Sequence, residues 1–139
     1  MLHYQIVNMP ENPPFYETCD GSNSYKKKCT RDLIYKYVNK NLDINKIKCL
    51  EYLTVKNDDT GEKQKKCIKE MNPGINRIFS QFVINSRGEI INIDVRAPYS
   101  KVKDEIKKVL KALPVMKPAS TRGKKVNVKY SLPITIKID

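Results

Sequence analysis

The chain has 139 residues, 40% of them hydrophobic, and sets 27 Lys and Arg against 15 Asp and Glu for a formal charge of +12. That apolar content is enough for an ordinary core and argues against a wholly disordered chain. No run approaches the roughly 18 consecutive apolar residues of a membrane-spanning helix. The first residues also lack the basic-then-apolar pattern of an export signal, so any anchor or signal is expected outside this sequence.

The charge is uneven. Residues 1–74 hold 13 basic and 10 acidic side chains, residues 75–139 hold 14 and 5. The basic second half suits an anionic partner, or simply a lysine-rich solvated surface. Four cysteines, Cys19, Cys29, Cys49 and Cys67, all lie in the first half. They contain no C-x-x-C pair, and the only histidine, His3, has no ligand cluster near it, so no metal or cofactor is expected. An even number of cysteines suits two disulfides in an oxidising compartment. Of the three pairings that four cysteines allow, Cys19–Cys29 with Cys49–Cys67 is favoured. The alternative is four free, partly buried thiols in a cytosolic protein.

In chain order, residues 1–24 form an extended arm, since Pro10, Pro13 and Pro14 block a regular helix. Between residues 25 and 42, Cys29, Leu33, Ile34, Tyr37 and Val38 recur at three- and four-residue intervals, predicting an amphipathic helix with a basic outer face. Residues 43–74 read as an insertion. The turn signal at 57–61 lies between Cys49 and Cys67, so a hairpin or a helix-turn-helix closed by that pair is expected. Residues 25–74 thus hold a helix plus an inserted segment, and residues 75–139 form the core of a single domain.

That core is the clearest region. Residues 77–84 predict a strand with Ile78, Phe82 and Ile84 on one face. Residues 85–88 form a tight turn in which Gly88 supplies a positive φ. Residues 89–96 predict a second strand with Ile91, Ile93 and Val95 on one face. Pro98 ends the hairpin, and Ser100 is read as the N-cap of a helix over 101–113 with Asp104 in its first turn. Val102, Ile106, Val109, Leu110 and Leu113 make that helix's apolar stripe, and Pro114 and Pro118 stop it. Finally, Val126, Val128, Tyr130, Leu132, Ile134, Ile136 and Ile138 alternate with polar residues, which predicts one long strand with a buried and a wet face. Pro133 has no amide hydrogen, so that strand is expected at a sheet edge, with the main-chain groups of Asn127, Lys129 and Ser131 on the open side. The fold class is therefore α+β: a three-stranded antiparallel sheet of hairpin and long edge strand, packed on helices.

A long open edge can bind an extended peptide by strand addition, although lysines along it can equally serve to block unwanted pairing. An enzyme is not expected. There is no Ser-His-Asp or Cys-His set and no glycine-rich phosphate loop, and the carboxylates are scattered. Nucleic acid is not expected as a partner either, because Phe82 and Tyr130 fall on apolar parities and leave no stacking pair on a wet strand face.

Three segments carry a resemblance. Residues 82–96 (FVINSRGEIINIDVR), 113–126 (LPVMKPASTRGKKV) and 130–136 (YSLPITI) resemble, in order and spacing, the C-terminal domain of TonB energy transducers. The arm around Phe15 and Cys19, with Cys29 near the start of a helix, is similar to a cysteine-bearing branch of that family. Met116 stands where many relatives have Trp or Tyr, and Ile136 where many have Phe. The resemblance implies a periplasmic domain held to the inner membrane by a segment outside this sequence and coupled to the ExbB–ExbD motor. Its last strand would grip the TonB box of an outer-membrane receptor, with Val126, Asn127, Val128, Lys129, Tyr130, Ser131 and Leu132 as the peptide-binding residues. It also raises homodimer formation through the same edge. A peptide-binding module without force transduction, or a basic nucleic-acid-binding domain, are the alternatives. If both disulfides form, intact mass after alkylation without reductant should show all four cysteines unmodified. Two or more alkylated thiols would contradict the oxidising-compartment reading.

Overall fold

The computed structural model describes residues 5–139. The arm runs extended to a short 3-10 turn at Glu17–Cys19, and the Cys19–Cys29 disulfide fastens it to the first helix with a Cα–Cα separation of 5.5 Å. That helix, α1, spans Asn23–Asn41 and is capped by Ser22, whose hydroxyl accepts from the Tyr25 amide. It buries Thr30, Ile34 and Val38 and leaves most of its lysines in water. The short helix α2, Ile44–Lys48, follows, with the Asp43 carboxylate accepting from the Asn45 amide at its start.

The inserted segment is a hairpin, β1 (Cys49–Lys56) and β2 (Lys63–Glu70), cross-linked by Cys49–Cys67. Its turn is closed by Asn57, whose side-chain oxygen accepts from the Asp59 amide. Of the two forms expected for this segment, the hairpin is the one adopted. It contributes little to the core: Leu53 and Ile68 are each more than half exposed, and it touches α3 through Lys101, whose ammonium donates to the Cys49 carbonyl (2.7 Å) and lies 4.6 Å from the Tyr52 ring centre.

The main sheet begins with β3, Gly74–Ile84, which turns through Asn85 and Gly88 into β4, Ile90–Arg96. Asn85 organises that turn, its side-chain oxygen accepting from the amides of Arg87 and Glu89. Gly88 adopts φ +79°, as its place in the turn requires, and the backbone approaches closely there: a Cβ would lie 1.7 Å from the Met116 carbonyl oxygen. One strand-face expectation is corrected in β4. Val83 pairs with Ile91 and Gln81 with Asp94, so Asn92 and Ile93 together oppose Phe82 in a bulge, with Asn92 at φ +51°. The extra residue reverses the parity, so Ile90, Ile93 and Val95 face the core and Ile91 does not.

Helix α3 spans Ser100–Lys111 and buries Val102, Ile106, Val109 and Leu110, with Leu113 following in the same core. Its start also differs from expectation. Tyr99 holds the cap position, no side chain caps the helix, and its first turn contains no acidic residue. The chain enters the helix one residue earlier than the Ser100 cap predicts, which places Asp104 in the second turn. Two short strands, β5 (Ala119–Thr121) and β6 (Lys124–Val126), form a small hairpin around Arg122 and Gly123, both at positive φ. After Asn127 comes β7, Val128–Ile138, so the single strand expected over 126–138 is broken, and Val126 pairs with Ala119 instead.

The sheet order is β4-β3-β7, antiparallel throughout, and β7 is an edge strand. β3 and β7 pair without irregularity from Gly74↔Ile138 to Ile84↔Val128. Ile78, Phe82 and Ile84 of β3 and Val128, Leu132, Ile134, Ile136 and Ile138 of β7 close over α1 and α3 in one buried cluster. The protein is therefore α+β, with a three-stranded antiparallel sheet packed on helices. Gly88→Ala combines a positive-φ penalty with an overlap against backbone, and is expected to cost about 2 kcal/mol or more in chemical denaturation. A loss within about 0.5 kcal/mol would show that the turn and the Met116 segment separate freely.

Candidate peptide-binding edge

In an antiparallel strand each residue sends its N–H and C=O to the same side, and successive residues alternate. The buried Ser80 hydroxyl of β3 donates to the Leu132 carbonyl, so even-numbered residues of β7 face β3 and odd-numbered ones face outward. Pro133 obeys this parity opposite Phe79, and its missing amide hydrogen costs the ladder nothing. Its outward carbonyl is taken by the Tyr35 hydroxyl of α1 at 2.8 Å.

At the other end, Asn127 is a junction. Its carbonyl accepts from the Val7 amide (2.9 Å) in a parallel bridge between Ile6 and Asn127. Its side-chain oxygen accepts from the Ser86 amide (2.8 Å), and its side-chain nitrogen donates to the Gln5 carbonyl (3.2 Å). One residue thus joins the arm, the β3–β4 turn and the start of β7.

Between these two capped positions, the outward main-chain groups of Lys129 and Ser131 have no backbone partner among the described residues. Lys129, with Tyr130, borders a cleft of ≈ 380 Å³ walled also by Pro10, Pro13 and Pro14 of the arm and by Lys27, Thr30 and Arg31 of α1. The walls carry three cations and no carboxylate. Tyr130 is half-buried and stacks on Phe82, with ring centres 5.3 Å apart. Burial raises the Tyr130 phenol's pKa, and the neighbouring Arg31 guanidinium opposes that rise.

The seven residues expected to bind peptide therefore separate into groups. Lys129 and Ser131 present open main-chain groups. Val128, Tyr130 and Leu132 turn their main chain to β3 and their side chains to the core. Asn127 faces outward but its carbonyl is occupied, and Val126 belongs to β6, off this edge. All four cysteines pair as expected, away from the edge.

Three tyrosines of the arm and α1 were not anticipated in this role. Each caps a carbonyl near a proline: Tyr16 that of Pro114 (3.1 Å), Tyr35 that of Pro133, and Tyr37 that of Ala112 (2.9 Å). Prolines interrupt helix and ladder pairing and leave such acceptors free, a pattern that the spacing of tyrosines and prolines hints at without specifying the pairs. Burial, reinforced by the Tyr130 and Tyr37 phenols, pushes the Tyr16 pKa up to about 12.

The unfolded chain releases the Tyr16 proton near pH 10, whereas the folded protein holds it to about 12. Folded protein binds more protons in that window, so Tyr16's contribution to stability is intact below pH 10 and is lost as pH rises through 12. Thermal melts taken from pH 9 to 12 should show this fall, and Tyr16→Phe should flatten it. An unchanged slope in the variant would place the titration elsewhere. Comparison of the chain with protein-family models, curated proteins and solved structures found no match.

Proposed function

We propose that this chain is the receptor-binding domain of a TonB-like energy transducer, which takes up an extended peptide as an additional strand on β7. The observation that carries the proposal is the pair of outward main-chain positions at Lys129 and Ser131, set on a regular edge strand beside a cleft. Such an edge binds chiefly through main-chain hydrogen bonds, which tolerate varied peptide sequences, while side chains at the rim add preference. The three sequence segments that resemble the TonB C-terminal domain supply the β3–β4 hairpin, the connection after α3 and β7 itself.

The β3–β7 pairing suits transmission of force. Eleven residue pairs run without a bulge, so tension along β7 loads its hydrogen bonds together rather than one at a time. In this reading the partner is the TonB box at the N-terminus of an outer-membrane receptor. The domain works in the periplasm, where its two disulfides persist. In the same reading it is coupled to the ExbB–ExbD motor through an inner-membrane anchor; no helix among the described residues is itself long and apolar enough to cross a membrane.

The test is an amide chemical-shift titration with N-terminal peptides from outer-membrane receptors of the same organism. Perturbations centred on Lys129 and Ser131, and weak with scrambled peptides, are the expected result. Silence toward every receptor peptide, together with salt-sensitive nucleic-acid binding by the +9 half, would overturn the function and leave the fold.

A further inference from the structure

We infer that the start of the N-terminal arm is a built-in occupant of the β7 edge, displaced when a longer partner strand pairs there. This rests on the strand-addition reading above and concerns how that site is regulated.

The arm is held in two different ways. Its later part is fastened: Asn12 and Phe15 pair antiparallel with Ser120 and Lys117, and Cys19 is bonded to Cys29. Pro13 and Pro14 are buried, so this part belongs to the folded body. Its earlier part is held far more lightly. Residues 5–9 include no buried residue, Met9 is 90% exposed, and the hydrogen bonds of Gln5 and Val7 go to a single residue, Asn127.

That residue lies at the end of the open edge. A strand added along β7 occupies the position about 4.8 Å from it, which is where Ile6 and Val7 already lie beside Asn127. The arm leaves this line after Val7, so Lys129 and Ser131 stay open while Asn127 is covered. A short peptide can pair at Lys129 and Ser131 with the arm in place. One that extends to Asn127 needs the carbonyl that accepts from Val7, and the two strands exclude each other. Because the arm is tethered by residues 12–19, its effective concentration at the edge is high and its competition is felt at every peptide concentration. Partner selection then depends on peptide length as well as sequence.

The experiment compares the full chain with a version beginning at Pro10, and with Val7→Pro, which removes the competing amide while leaving the rest of the arm in the chain. Among the described residues, neither change takes away a buried one. Receptor-derived peptides long enough to reach Asn127 should bind both variants roughly three- to tenfold more tightly than the full chain, the gain of one or two hydrogen bonds no longer contested. In the full chain, saturation with such a peptide should also strip the Val7 amide of its exchange protection. Equal affinities for all three proteins, with Val7 still protected in the saturated complex, overturn the inference. If no receptor peptide binds any version, a synthetic peptide of residues 1–9 added to the shortened chain decides it separately. Shifts at Asn127 then uphold occupation by the arm while removing the receptor reading, and no shifts overturn both.

Discussion

The arrangement depends on what one proline does to one strand. Pro133 cannot donate a hydrogen bond, so it must stand where no neighbouring strand needs one, and β7 is confined to the edge of the sheet at that point. The parity of the whole strand follows. With Pro133 outward, Lys129 and Ser131 are outward too, and Val128, Tyr130, Leu132, Ile134, Ile136 and Ile138 turn toward the core and toward β3. A single imino acid thereby separates a face that stabilises the fold from a line of main-chain groups free to bind.

An open edge invites unwanted pairing, and the chain covers this one at two positions, one where β7 begins and one midway along it. Tyr35 covers the Pro133 carbonyl, and Val7 covers the Asn127 carbonyl. Lysine at 129 keeps the exposed stretch charged. Lys129 and Ser131 stay open between those two positions, and Thr135 and Lys137 face outward beyond Pro133. The opposite edge, β4, is blunted differently, by the Asn92 bulge that bends it out of register.

Much of this was legible in the residues. Periodicity placed α1, β3, β4 and α3 within a few residues of where they lie, the proline placed β7 at the edge, and the order of the cysteines selected the pairing that forms. Two of the misses, the break at Asn127 and the tyrosine caps, turn on contacts between segments distant in sequence. Alternation of Ile91, Ile93 and Val95 is broken by a bulge that nothing local to those residues demands. The strand expected over 126–138 stops at Asn127 because its side chain is committed to Ser86 and Gln5, about 40 and 120 residues away. The tyrosine caps depend on which prolines α1 passes. Ser100 satisfies the composition of a cap, yet the chain enters the helix from Tyr99. The hairpin of residues 49–70 is closed by its own disulfide and held to α3 through Lys101, and its exposed Leu53, Val55 and Ile68 are not explained by the fold.

The central claim is that the outward main-chain groups of Lys129 and Ser131 accept a partner strand. Amide hydrogen exchange at those two positions, with and without a bound receptor peptide, tests it most directly. The account predicts fast exchange at both in the free protein and strong protection of both in the complex, with Leu132 already protected by β3 in each state. A peptide that binds tightly while Lys129 and Ser131 continue to exchange freely would contradict it, because binding would then be occurring somewhere other than the edge.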